Sequence, residues 1–311
     1  MLDWIPLLQD PNTRWILWGS MLLGLCSGVI GSFAYLRKQS LMGDALSHAA
    51  LPGVCLAFML TGTKSTLWFV VGALISGLIA TWSIGWITRH SKVKQDAALG
   101  IILSVFFGFG IVLLTQIQHS ASGNQSGLDK FLFGQAASMV MSDVYTMVGI
   151  SALLIILCTL FFKELKLVCF DPGFAKGLGF PVSLLDQFIM AMIAVAVVVG
   201  IQAVGVVLMA AMLITPAVAA RYWTEKLSTM VILSGIFGAL SGILGTMLST
   251  LGNSLPTGPL SVLAATALFL VSVVAGPKRG LLSKLLVRRS VKLEVERKQA
   301  VAPLERRRRF E

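Results

Sequence analysis

Apolar runs long enough to cross a bilayer recur from about residue 15 to residue 275, and nothing else in the chain limits its fold so strongly. About 20 apolar residues cross the hydrocarbon core as a helix. Charged residues make up 13% of the 311, against about 25% in soluble chains. The reading is an all-α, polytopic membrane protein with one transmembrane domain over residues 1–280 and a basic tail over 281–311. The N-terminus shows no short apolar run with a cleavage site, and the first apolar segment is long enough to stay in the membrane.

Residues 1–14 are mildly amphipathic and are expected at the interface. The expected spans are 15–36, a segment from Asp44 through Pro52 to Leu60, 66–88, 96–117 and 143–162, with 228–250 and 259–275 at the end. Residues 128–135 read as a short interfacial helix. Residues 183–220 are too long for one crossing, so a tight pair is expected there, breaking near Gly200 to Ala203. The total is about nine transmembrane helices, or eight if one segment is misassigned. Glycines at 19, 24, 28 and 31 would let the first helix approach its neighbours closely.

Loop charge orders these spans. Arg37 and Lys38, Arg89, Lys92 and Lys94, Lys163 and Lys166, Arg221 and Lys226, and the tail fall on one side. Only Arg14, Lys64 and Lys130 fall on the other. The positive-inside rule makes the first group and the C-terminus cytoplasmic. The basic loops on either side of 183–220 require an even number of crossings between them. The net charge of +11 is thereby accounted for without a nucleic-acid partner. The tail can bind anionic lipid or serve as a solvated extension, and the second reading is preferred.

Against this apolar background the stretch 43–53, GDALSHAALPG, stands out. Asp44 and His48 lie four residues apart, on one face of a helix and about 6 Å apart along its axis. A carboxylate within the membrane is costly unless it is paired or faces water. With an imidazole beside it, it can bind a divalent transition metal. The competing reading is that Asp44 caps the helix start and His48 satisfies it. Two ligands make a weak site, as a conduit requires, and a two-fold dimer would supply two of each. By linear counting the pair sits near the inner end of its span. His90 and His119 read as solvated loop residues, and Asp96 and Asp186 as helix caps. The cysteines (Cys26, Cys55, Cys158 and Cys169) form no CxxC pair and read as packing. There is no GxxxxGK[ST], HExxH or GxSxG motif, so the chain reads as a non-enzymatic subunit without a bound cofactor.

The run 43–53 resembles the signature of the bacterial zinc, manganese and iron ABC-transporter permeases. Three later stretches agree in order and spacing: 170–179 (FDPGFAKGLG), 202–217 (QAVGVVLMAAMLITPA) and 255–259 (LPTGP). The resemblance covers about residues 12–280. It implies the fold of a type II ABC importer permease in the bacterial cell membrane. It also implies a cytoplasmic ABC ATPase dimer, an extracytoplasmic metal-binding lipoprotein and a second permease subunit as partners. Asp44 and His48 fall on the family's metal-coordinating positions. Pro216, Arg221, Tyr222 and Lys226 fall where related importers place the helix that docks on the ATPase. The run 127–137 is closer to the manganese and iron members, so the expected cargo is Mn²⁺, with Zn²⁺ or Fe²⁺ as alternatives.

Two transport rivals remain at this level. A siderophore or cobalamin permease of related architecture would need no metal ligands, and a secondary transporter would need no ATPase. A membrane sensor has only the basic tail in its favour.

Overall fold

Eleven helices make up the regular structure of the residues described, which are 11–62, 66–119, 141–251 and 255–284 of a computed structural model. They are α1 (Pro11–Leu36), α2 (Met42–Thr61), α3 (Thr66–His90), α4 (Gln95–His119), α5 (Met141–Leu160), α6 (Phe162–Phe170), α7 (Pro172–Gly177), α8 (Val182–Val204), α9 (Val206–Arg221), α10 (Leu227–Ser249) and α11 (Thr257–Ala275). Helix is the outcome because these apolar runs must satisfy their backbone within themselves in a bilayer. The segments at 1–10 and 128–135 and the tail beyond residue 284 lie outside the described residues. Residues 11–14 are not a separate interfacial piece; they begin α1.

Small residues hold the bundle together. A Cβ added to Gly24 would lie 2.1 Å from the carbonyl oxygen of Gly238, and one added to Gly28 would lie 2.2 Å from that of Ser234. The α1–α10 seam therefore brings backbone against backbone. The Ser234 hydroxyl donates to the Gly28 carbonyl at 2.6 Å, and Ser20 and Thr246 share a hydrogen bond at 2.7 Å. Lipid is as apolar as leucine, so such close packing and interhelical hydrogen bonds, about 0.6 kcal/mol each, replace the hydrophobic drive. The same device joins α2 to α3. Gly53 and Gly72 abut, and the Ser76 hydroxyl donates to the Ala49 carbonyl at 2.5 Å.

The tight pair expected over 183–220 is present, but its break falls at Gly205. Only there does the backbone take a positive φ, of 89°, between α8 and α9. Gly200 has a different role. A Cβ on it would sit 2.1 Å from the sulfur of Met209. Residues nine apart on one straight helix would be about 13 Å apart, so the chain reverses and Gly200 makes room for the returning strand of side chains. Eight helices among the described residues are long and apolar enough to cross a membrane. The ninth, α9, has 16 residues, about 24 Å at 1.5 Å each, short of the roughly 30 Å hydrocarbon core.

The contacts gather the basic turns at one end of the bundle. Arg37, after α1, reaches Asp186 at the start of α8; Arg89, at the end of α3, reaches the Ser183 carbonyl. Ala217 and Ala220 of α9 pack with Tyr35 and Leu36 of α1, and the Lys278 amide donates to the Tyr222 carbonyl at 3.2 Å. This is the even-crossing arrangement that the loop charges require.

Candidate metal centre

Helix α2 starts at Met42, so Asp44 is its third residue rather than its cap. The cap position belongs to Leu41, whose side chain makes no capping bond. The carboxylate sits in the first turn, at the positive end of the helix dipole. One helical turn on, His48 Nε2 lies 3.5 Å from Asp44 Oδ1. The imidazole is packed edge-on against Phe107 of α4, with ring centroids 4.8 Å apart and planes at 74°.

Depth follows from the neighbours. Phe107 is twelve residues from each end of α4, and Ser76, which bonds to the residue after His48, lies ten residues from the start of α3 and fourteen from its end. The pair is thus near mid-height of the bundle, not at the inner end that linear counting suggests. The turn before α2 is drawn inward. Lys38 adopts a left-handed φ of 58°, and the Gln39 amide donates back to the Ala34 carbonyl at 2.9 Å. Gly43 then lies so close to α9 that a Cβ would be 3.0 Å from Ala210 Cα.

At this depth the Asp44 side chain is 46% exposed and that of His48 24%. Phe107, Leu41 and Ser40 are exposed beside them. Chemically this is an acceptor-rich, two-ligand spot on an apolar face. Among the described residues no three His, Cys, Asp or Glu side chains cluster to hold a metal. The described residues of one chain therefore place two potential donor side chains here, Asp44 and His48. An apolar cleft of about 580 Å³, lined by Leu56, Leu60, Trp68, Ile75 and Phe109 among others, offers no metal ligand.

The other sequence candidates are dispersed. His90 is exposed, with Nδ1 3.0 Å from the Trp86 carbonyl oxygen, and His119 is exposed at the far end of α4. Cys26, Cys55 and Cys158 are buried as free thiols. Asp96 lies in the first turn of α4. Asp186 is not a helix cap; it is the fifth residue of α8 and pairs with Arg37. Of the expected docking residues, Pro216 is buried inside α9. The Arg221 guanidinium bonds to its own loop at the Thr224 and Glu225 carbonyls, while the Tyr222 ring packs on Phe269. Lys226 is exposed.

Two features had no clear signal in the sequence. Phe107 was one apolar residue among many, and the Arg37–Asp186 pair joins positions 149 apart in the chain. A third was legible in retrospect. The Asp-Pro pair in FDPGFAKGLG is a helix start, with Asp171 Oδ1 accepting from the Phe174 amide at 2.8 Å and Pro172 in first position.

Residues 9–276 match the model of the ABC 3 transport family. The chain is 56% identical over 294 residues to the manganese transport system membrane protein of Bacillus subtilis, covering 94% of this chain and 68% of that one. It is 47% identical to the zinc transport system membrane protein of Treponema pallidum, covering 92% of this chain and 96% of that one. Among solved structures, PsaBC from Streptococcus pneumoniae in complex with a Fab matches with a TM-score of 0.78 at 35% identity, over 89% of this chain and 96% of that one. An inward-facing putative metal-chelate type ABC transporter shares the fold at 16% identity and a TM-score of 0.66. The family match takes in every transmembrane helix described and the stretch that carries Asp44 and His48, and the chain belongs to the ABC 3 transport family.

Proposed function

We propose that this chain is the pore-forming subunit of an ATP-driven importer of divalent transition metal ions, with Mn²⁺ as its cargo. The observation that carries the reading is the half-exposed Asp44 carboxylate beside His48, at mid-height of an otherwise apolar bundle. Such a group is tolerated in a membrane only where it meets water or a partner. A second copy of the chain, or a related permease, related by a two-fold axis along this face would give two carboxylates and two imidazoles. That is a donor set for Mn²⁺, Fe²⁺ or Zn²⁺. Manganese is favoured because the manganese-transport relative is closer in sequence than the zinc-transport one.

The basic end of the bundle faces the cytoplasm of a bacterial cell under the positive-inside rule. A separate ATPase pair would dock there, and a metal-binding protein would deliver ions to the opposite face. The turn with Arg221, Tyr222 and Lys226 lies on the docking end, yet Tyr222 and Arg221 are occupied within the chain. More apolar surface is offered by the segment running from the end of α6 through α7 into α8, where Phe170, Phe174, Leu178 and Leu184 are each more than half exposed. Lysines 163, 166 and 176 flank them. An exposed apolar patch with a charged rim is the usual form of a protein-docking surface.

The test is uptake of radioactive Mn²⁺ by cells that depend on this transporter, at matched protein levels. Asp44→Ala and His48→Ala each lower uptake about a hundredfold, on the scale of metal sites that lose a ligand or its support. Undiminished uptake in both would remove the metal pair from the pathway.

A further inference from the structure

We propose that Arg37 is a positioning residue that ties the docking segment to the metal pair, so that movement at the ATPase surface is transmitted to Asp44 and His48. The inference rests on the transport reading above. Arg37 is the first residue after α1, in the turn that leads into α2. One guanidinium nitrogen donates to the Val168 carbonyl at 3.1 Å, in the last turn of α6, and another pairs with Asp186 in the second turn of α8. Val168 and Asp186 bracket the surface segment with Phe170, Phe174 and Leu178. A single fork-shaped cation therefore clasps both ends of that segment. Arginine suits this, since its planar donors serve two acceptors at once.

The other end of the lever is short. Six residues lie between Arg37 and Asp44, and the turn among them is fixed by backbone hydrogen bonds from Lys38 and Gln39 to the last turn of α1. Beyond the turn, Gly43 is pressed on α9. A displacement of Arg37 is thus passed to the first turn of α2 with little slack.

The junction also holds polar groups that this arrangement does not use. Gln39 is 1% exposed, and both ends of its carboxamide lack a partner in the chain, as do Arg37 Nε and Glu164 Oε2. Buried polar atoms are normally paired. Unpaired buried atoms on Arg37 itself and on Gln39, two residues along the same turn, suit an element with a second hydrogen-bonded arrangement, which an alternating-access cycle requires.

The experiment uses the assembled transporter, permease with its ATPase and binding protein, in proteoliposomes. Mn²⁺ uptake and ATP hydrolysis are measured on the same vesicles for wild type, Asp186→Asn, Arg37→Gln and Arg37→Lys. In Asp186→Asn and Arg37→Gln, uptake falls about tenfold while hydrolysis stays within about twofold, because the motor turns over without moving the site. Arg37→Lys keeps the charge but cannot fork to both acceptors, and it regains part of the uptake. Asp186→Asn is isosteric and carries the test should Arg37→Gln fail to assemble. A proportional fall in uptake and hydrolysis would reduce Arg37 to a structural role, and wild-type uptake in Asp186→Asn would overturn the proposal. If wild-type vesicles move no divalent metal, the transport reading fails and takes this one with it. If wild type transports and the variants match it, only the role of Arg37 is lost.

Discussion

His48 owes its orientation to Phe107. The ring edge contact at 4.8 Å holds the imidazole on the side of Asp44, and contacts of this type contribute about 0.5–1.5 kcal/mol beyond area burial. Phe107→Ala removes that support but leaves both ligands. The expected result is a KM for Mn²⁺ raised about three- to tenfold, with Vmax nearly kept. A fall in Vmax with unchanged KM would place Phe107 elsewhere in the cycle. The pairing of Asp44 with His48 was legible in the sequence, because a charged residue and a histidine one turn apart contrast sharply with an apolar run. Phe107 was not, since one aromatic among 17 phenylalanines carries no mark of its neighbour. The capping reading of Asp44 failed for a local reason: α2 begins two residues earlier, at Met42. Asp186 misled for a tertiary one, since its partner is fixed only when α1 and α8 meet.

The helix pair α8–α9 shows what the sequence could and could not place. Length and loop charge together call for a helix pair in 183–220, and the structure has one, although only its first member is long enough to count as a full span. The position of the turn was not legible, because two glycines compete for it. Gly200 fits a breaking role by composition, yet it is used for packing, while Gly205 takes the φ of 89° and ψ of 166° that only glycine holds easily. Gly205→Ala is therefore expected to cost about 1–3 kcal/mol, read as a lower thermal midpoint of the detergent-solubilised protein and a smaller yield in the membrane. Gly149→Ala is the control. A Cβ there meets nothing within 4 Å, so its midpoint should match that of the wild type. Equal losses in the two variants would mean that any added methyl harms the bundle, and that the turn geometry is not special. The depth of the Asp44–His48 pair has the same origin as the misplaced turn. Linear counting assumes that each helix starts at the membrane face, whereas the Arg37–Leu41 turn is drawn inward by α1 and α9.

At the scale of the whole molecule, charge sorts the two ends and small residues close the middle, but neither says which surface would meet the proposed ATPase. The Arg221–Lys226 turn is basic and conspicuous in the sequence. In the fold, its tyrosine and arginine are spent on internal contacts, and the indole nitrogen of Trp223 donates to Ser272 at 3.0 Å. The α6–α8 segment is the reverse. In the sequence its phenylalanines lie in a basic loop after the fifth span, and the fold leaves Phe170 and Phe174 more than half exposed at the charged end. Asp171 caps α7 and so holds Phe174 outward on a defined helix turn. The two surfaces give opposite expectations. If the α6–α8 segment is the dock, Phe174→Asp places a charge at the centre of an apolar contact, where truncation of an anchor alone costs about 2 kcal/mol or more. Copurification of the ATPase with the permease should then be lost, while Lys226→Ala, at the exposed end of the other turn, leaves it intact. Both variants keep the Asp44 and His48 helix untouched, so the amount of permease in the membrane serves as the reference. Retained ATPase in Phe174→Asp together with its loss in Lys226→Ala would move the dock to the Arg221–Lys226 turn, and the Arg37 clasp would then be coupled to the wrong surface.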